Sequence, residues 1–427
     1  MTAIVIANMI GTGVFTSLGF QLLDIRSGFV LLLLWGLGGL IALCGAMTYA
    51  ELGAAMPRSG GEYNFLSRIF HPLAGFVSGW VSATVGFAAP TALAAMTFSA
   101  YATHSLASDA GDTVEKGLAI ALVVILTLVH ISSRRRSGGL QSFFTALKIV
   151  AIIAFCLLAL IFVDVPQPIG FLPQPGDAEL LTSGAFAVSL IYVSYAYTGW
   201  NAATYLSSEL EEPQKNLPRI LFVGTAMVTL LYVALNYVFL RVAPMDAMSG
   251  QLEVGFVAAE FAFGESGGRF AGLTLAMLLI STVSAMTVAG PRVLQVIGED
   301  FAPLRRLAAT NADGLPYAAI TIQSVLTIVF IVTGSFESIL VFAGFTLALN
   351  SFVTVAGIFR LRYSQPDLSR PYRTFAYPVT PLVYLVLMGW TLAFVLISRP
   401  TEALFGVALI ACGVVFYWLA SRESARD

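Results

Sequence analysis

The sequence predicts an all-α polytopic membrane protein with twelve transmembrane helices, the first and sixth of them broken. Three observations carry that prediction. Of 427 residues, 58% are hydrophobic and only 11% are charged, where a soluble domain carries about 25% charge; the mean hydropathy is +0.85. The apolar residues fall in long blocks, unlike the short alternating segments of barrel strands. Two of those blocks are interrupted by glycine, at Asn8-Met9-Ile10-Gly11-Thr12-Gly13-Val14-Phe15 and at Tyr195-Ala196-Tyr197-Thr198-Gly199-Trp200.

Each block is judged against a hydrocarbon core of ~30 Å. The first runs from Thr2 to Leu23 and contains the Gly-Thr-Gly break. The second is Gly28–Ala55, and the third, Leu73–His104, is long enough to require tilt. Gly117–Ser132 and Gly139–Val163 are the fourth and fifth. Thr182–Ser207, with its Thr198-Gly199 break, is the sixth, and Ile220–Val242 the seventh. Between the seventh and the eighth, Phe270–Ile297, lies Gly255–Phe263, apolar but too short to cross; it reads as a re-entrant or surface helix. Tyr317–Thr333, Ser335–Phe359, Pro381–Ile397 and Glu402–Ala420 complete the twelve. Pro57 ends the second block ahead of a Ser59-Gly60-Gly61 turn, and Pro213 and Pro218 bracket a compact connector after the sixth.

Charge sets the orientation. With the N-terminus inside, sixteen Lys and Arg residues, including Arg134–Arg136 and Arg360–Arg373, fall on inner loops and the C-terminal tail, and five fall outside. Both termini are then cytoplasmic, in the inner (plasma) membrane of the cell. No charge precedes Asp24, so no signal peptide is expected. Cys44, Cys156 and Cys412 all lie within apolar blocks and read as small core residues, with neither a disulfide framework nor a metal-binding spacing. No cofactor or metal is expected. Three scattered histidines and no paired carboxylate argue against a membrane enzyme. The spans carry no regular polar stripe, which argues against a channel. One break in each half of the membrane region is the pattern of a secondary transporter with a midplane site.

Four motifs in succession carry a family resemblance: Gly11-Thr12-Gly13-Val14-Phe15, Ala50-Glu51-Leu52-Gly53 followed by Pro57-Arg58-Ser59-Gly60-Gly61-Glu62-Tyr63, Tyr195-Ala196-Tyr197-Thr198-Gly199-Trp200, and Glu212-Pro213 followed by Asn216-Leu217-Pro218. Together they resemble the amino acid–polyamine–organocation (APC) superfamily of permeases, and within it the bacterial L-amino-acid transporters. The resemblance implies a LeuT-like 5+5 inverted repeat with two appended helices. Residues 1–163 would form the first repeat, 182–360 the second, and 380–421 the appended pair. It also implies sodium-independent secondary transport of neutral L-amino acids by alternating access. Exchange and proton-coupled symport both remain open, as does another small amine or organocation as substrate. The implied partners are the small-molecule substrate, protons in the symport case, and the lipid bilayer. No cysteine is placed to bond a partner protein, and no nucleic acid is implied.

A broken helix frees N–H groups at the start of its second half and carbonyls at the end of its first. The former attract an anion and the latter a cation, and an amino acid zwitterion offers one of each. The expected pose puts the α-carboxylate on the amides of Thr12, Gly13 and Val14. The α-ammonium would donate to carbonyls near Met9–Ile10 and near Tyr195 and Thr198. Gly11, Gly13 and Gly199 allow the close backbone approach. By the resemblance, Tyr195 stands where an aromatic residue closes over the substrate, and Trp200 shapes the side-chain pocket. Thr198 and Asn201 are its polar candidates, and with no ionisable residue in view the pocket reads as uncharged, suited to neutral substrates. Lys148, with no acid within a helical turn, is costly at membrane depth, by roughly 2.5–3.5 kcal/mol, and is a functional candidate. The resemblance places its ammonium where sodium-coupled relatives hold the ion, between the span-one break and hydroxyls on span eight, for which Ser281, Thr282 and Ser284 are candidates. The ten residues before Gly11 span only about 15 Å as helix, which implies either an upstream start or a shortened half-helix.

Overall fold

A computed structural model describes residues 2–424 apart from 59, 107–110, 133–136 and 312–313. The predicted arginine cluster Arg134–Arg136 lies outside the described residues. The described chain is helical: α1 (Thr2–Met9), α2 (Gly13–Asp24), α3 (Gly28–Ala55), α4 (Glu62–Ile69), α5 (Pro72–Val81), α6 (Ala88–Ser105), α7 (Asp112–Ser132), α8 (Ser137–Phe162) and α9 (Asp177–Leu181). The second half comprises α10 (Gly184–Ala196), α11 (Pro213–Val242), α12 (Met245–Met248), α13 (Val254–Ala289), α14 (Pro291–Asp300), α15 (Tyr317–Thr333), α16 (Phe336–Ser364), α17 (Val379–Ser398) and α18 (Pro400–Ser424). Among the described residues, ten helical segments are long and apolar enough to cross a membrane. Two shorter apolar helices, Gly184–Ala196 and Tyr317–Thr333, stand at the places of the sixth and ninth predicted blocks.

Composition decides which helices face outward. α7, α8 and α18 leave large apolar side chains exposed, among them Leu128, Ile161 and Leu419. Such a surface is stable only against hydrocarbon. The interior is formed largely by α1, α2, α3, α10, α11 and α16, most of whose buried apolar residues belong to one continuous cluster.

Both predicted breaks are present. α1 stops at Met9, the Gly11 amide turns back onto the Met9 carbonyl at 2.8 Å, and α2 starts at Gly13. In the sixth block α10 stops at Ala196 and the Thr198 amide turns back onto the Tyr195 carbonyl at 2.9 Å. Gly199 then takes φ +107°, which a residue with a Cβ adopts only under strain. The chain resumes as a 3-10 segment, Ala202–Glu209. The breaks interlock: a Cβ on Gly13 would lie 2.6 Å from the Ala196 Cα, and one on Gly199 would lie 2.8 Å from the Asn8 carbonyl group.

Other elements differ from the sequence reading in instructive ways. The third block contains a π segment at Ser82–Gly86 between α5 and α6. The seventh helix starts at Pro213 and includes Pro218, seven residues before the predicted start. Pro213 occupies the first turn, where its missing N–H costs nothing, and Pro218 follows close behind. The short apolar stretch before the eighth block is helical and bends into it at Gly264, at φ 73°.

Candidate functional site

A cavity of about 120 Å³ opens where the two breaks meet. Its wall includes Met9, Gly11, Thr12, Gly13, Thr198 and Gly199. The amides at the start of α2 have no preceding turn to bond, and the Thr12 side chain does not cap them. This end of α2 therefore presents donors and the positive end of a helix dipole. Val14 is fully buried on the first turn of α2.

The carbonyl ends of α1 and α10 are already partly held. The Tyr232 hydroxyl, from α11, donates to the Met9 carbonyl at 2.5 Å and lies 3.2 Å from the Ala196 carbonyl. One phenol thus joins the C-terminal ends of both first half-helices. Lys148, buried on α8, donates from Nζ to the Ile10 carbonyl at 3.3 Å and to the Thr282 Oγ1 at 2.7 Å. Its charge faces the negative end of the α1 dipole. An ammonium has three N–H donors and a carbonyl has two lone pairs; the Met9 carbonyl, which accepts from both the Gly11 amide and Tyr232, is fully engaged, whereas the Ile10 carbonyl, bonded by Lys148, keeps acceptor capacity for a second cation.

Of the three candidate hydroxyls on α13, the lysine bonds that of Thr282. Ser281 donates to the Leu278 carbonyl in its own helix, and Ser284 pairs with His130 Nε2 at 2.8 Å. Tyr195 and Trp200 are both buried at the cavity wall. Trp200 stands edge-on to Tyr49 of α3, with centroids 4.6 Å apart, over Gly45, where a Cβ would come within 2.9 Å of the indole. The Thr198 hydroxyl bonds the Ser194 carbonyl at 3.3 Å.

The pocket is not uncharged, which corrects the sequence reading. Glu62, at the first turn of α4, lines it and is 2% exposed. Its Oε1 accepts from the Asn201 amide at 2.9 Å, the Tyr49 hydroxyl at 2.8 Å and the Ser351 hydroxyl at 3.4 Å, and its Oε2 from the Tyr205 hydroxyl. In sequence, Glu62 follows a Gly-Gly turn at a helix start, where acids are common on solvated surfaces, so nothing marked it as buried. Tyr232 lies in an apolar run and carried no signal either. The carboxylate is compensated by neutral donors within the protein, so the site does not need a cationic substrate side chain.

Tyr232→Phe removes the one donor shared by the two carbonyl ends. The loss is expected to weaken substrate binding by about 1 kcal/mol, within roughly tenfold, and to lower the unfolding midpoint in detergent slightly. Binding isotherms and a thermal melt check this.

An amino acid permease family model matches residues 1–421. The chain is 31% identical to the large neutral amino acids transporter small subunit 2 of Homo sapiens, over 97% of this chain and 78% of that protein. It is 30% identical to the Asc-type amino acid transporter 1 of Mus musculus, over 97% and 79%, and 27% identical to the b(0,+)-type amino acid transporter 1 of Mus musculus, over 97% and 85%.

Proposed function

The chain belongs to the amino acid permease family, whose members are transporters and not enzymes, and on that premise we propose that it is a sodium-independent carrier of neutral L-amino acids working by alternating access. The observation that carries this reading is the Lys148 ammonium bridging the Ile10 carbonyl and Thr282 at the span-one break. A fixed cation there stabilises the α1 carbonyl end without a bound metal ion. The α2 amides receive the substrate carboxylate and the free carbonyl lone pairs of the two breaks receive its ammonium. Tyr195 covers the substrate and Trp200 bounds its side chain. The relatives named for large neutral amino acids support the substrate class.

The twelve spans form two inverted repeats, residues 1–163 and 182–360, with 380–421 appended. The reciprocal contacts of Gly13 with Ala196 and of Gly199 with Asn8 support that pseudo-symmetry. Sixteen of the 22 basic residues fall on the side assigned to the cytoplasm, which supports a cell membrane protein with both termini inside. All three cysteines lie on helices assigned to spans, in keeping with a carrier that has no covalently bonded partner.

Uptake of labelled alanine and leucine into sodium-free proteoliposomes tests the reading. Uptake that requires internal amino acid means an exchanger with Lys148 as a fixed charge. Uptake into empty vesicles driven by an inward proton gradient means a symporter. An absolute requirement for sodium would overturn the proposal.

A further inference from the structure

We propose that Glu62 is the latch closing the pocket on its α4 side, and that the latch must part for substrate to pass there; this rests on the alternating-access reading above. The carboxylate gathers donors from three other elements. Tyr49 belongs to α3, Asn201 and Tyr205 to the chain just beyond the span-six break, and Ser351 to α16. Tyr205 also reaches Ser82, in the π segment of the third block. Glu62, Asn201, Tyr205, Ser351 and Ser82 all line the cavity, so this network is the wall between the pocket and the α4 connection. The chain enters α4 through Gly60 and Gly61, both at positive φ, and a Cβ on Gly61 would lie 2.9 Å from the Tyr205 ring.

Two features make this arrangement a latch and not a permanent fastening. The span-six chain is held here as a 3-10 segment, whose hydrogen bonds are poorer than those of an α-helix, so its position depends on tertiary contacts. Glu62 supplies the contacts for Asn201 and Tyr205 together. Second, every bond to Glu62 that closes the joint is polar. When it parts, water reaches the carboxylate and phenols and replaces the lost bonds, so opening leaves no buried polar group unpaired. A joint made of apolar side chains would expose its surface to water on opening.

The test uses the full chain in sealed vesicles of each orientation, with the three native cysteines replaced and Ala202→Cys as reporter. Ala202 lines the cavity beside the network. Glu62→Gln keeps the shape but replaces one acceptor oxygen by a donor, so the four donors that converge on the carboxylate are left with a single acceptor oxygen. Labelling of the reporter by an impermeant maleimide from the α4 side is expected to accelerate at least about fivefold, the low end of a coupling between two conformations, and KM at that face is expected to shift relative to KM at the other. Tyr205→Phe removes one donor and is expected to move both readouts in the same direction by less; it carries the test if Glu62→Gln does not fold. Unchanged labelling from the α4 side with unchanged KM sidedness in the folded variants would overturn the latch. Faster labelling in the variants, when the parent protein itself shows no flux, would retire the transport reading and leave the latch standing.

Discussion

Lys148→Ala is expected to reduce amino acid uptake at least about a hundredfold while the protein still folds. Two hydrogen bonds from a charged donor disappear, each worth about 1.5–3 kcal/mol. Their loss falls on the α1 end. The Ile10 carbonyl is left without the ammonium that bonds it, and the carbonyl dipoles that should meet the substrate ammonium lose the group that fixes them. Thr282→Val removes only the hydroxyl that orients the ammonium and is expected to cost less, about tenfold. Initial uptake rates and thermal melts of the two variants separate this role from folding. Unchanged kinetics in Lys148→Ala would remove the lysine from the mechanism.

Gly11→Ala and Gly13→Ala are expected to fail in different ways. At Gly11 a Cβ meets nothing closer than 4.0 Å, the Met9 carbonyl and the Thr282 methyl. The alanine variant therefore folds normally, but its methyl enters the space where the substrate backbone must approach the α2 amides, and transport is lost. At Gly13 a Cβ would lie 2.6 Å from both the Cα and the Cβ of Ala196. That contact is with backbone, which cannot turn aside, so the two broken helices are forced apart. Overpacking of this kind costs about 1–3 kcal/mol. Gly13→Ala is thus expected to lower the melting temperature as well as the transport rate. Transport at the parent rate in Gly11→Ala would show that substrate does not approach that amide.

These substitutions also show what the sequence made legible. Glycine inside an apolar run is visible because it breaks both the composition and the propensity of a helix. A lysine at membrane depth is visible because it is costly. Its partner on α13 was legible only as one of three hydroxyls, Ser281, Thr282 and Ser284. Side-chain direction along the helix chose Thr282, which depends on how α8 and α13 are rotated against each other. Tyr232 joins Met9 to Ala196 across three separate elements, and no local pattern encodes such a contact. Glu62 was legible only as part of a motif, because the turn before it, at Gly60-Gly61, looks like any polar loop until α3, α16 and the span-six chain close around it. The early start of α11 had a local cause: proline reads as a breaker, yet it is tolerated in a first turn.

The central claim is that the two breaks together recognise the zwitterion of a neutral amino acid. Its most direct test is competition for labelled L-leucine on the purified protein in sodium-free buffer, using leucine, leucine methyl ester and N-acetyl-leucine. The ester lacks the carboxylate meant for the α2 amides, and the acetyl derivative lacks the ammonium meant for the α1 and α10 carbonyls. The account predicts that leucine alone competes, each derivative being at least about tenfold weaker for the loss of a charged hydrogen-bonded group. Equal competition by either derivative would contradict it.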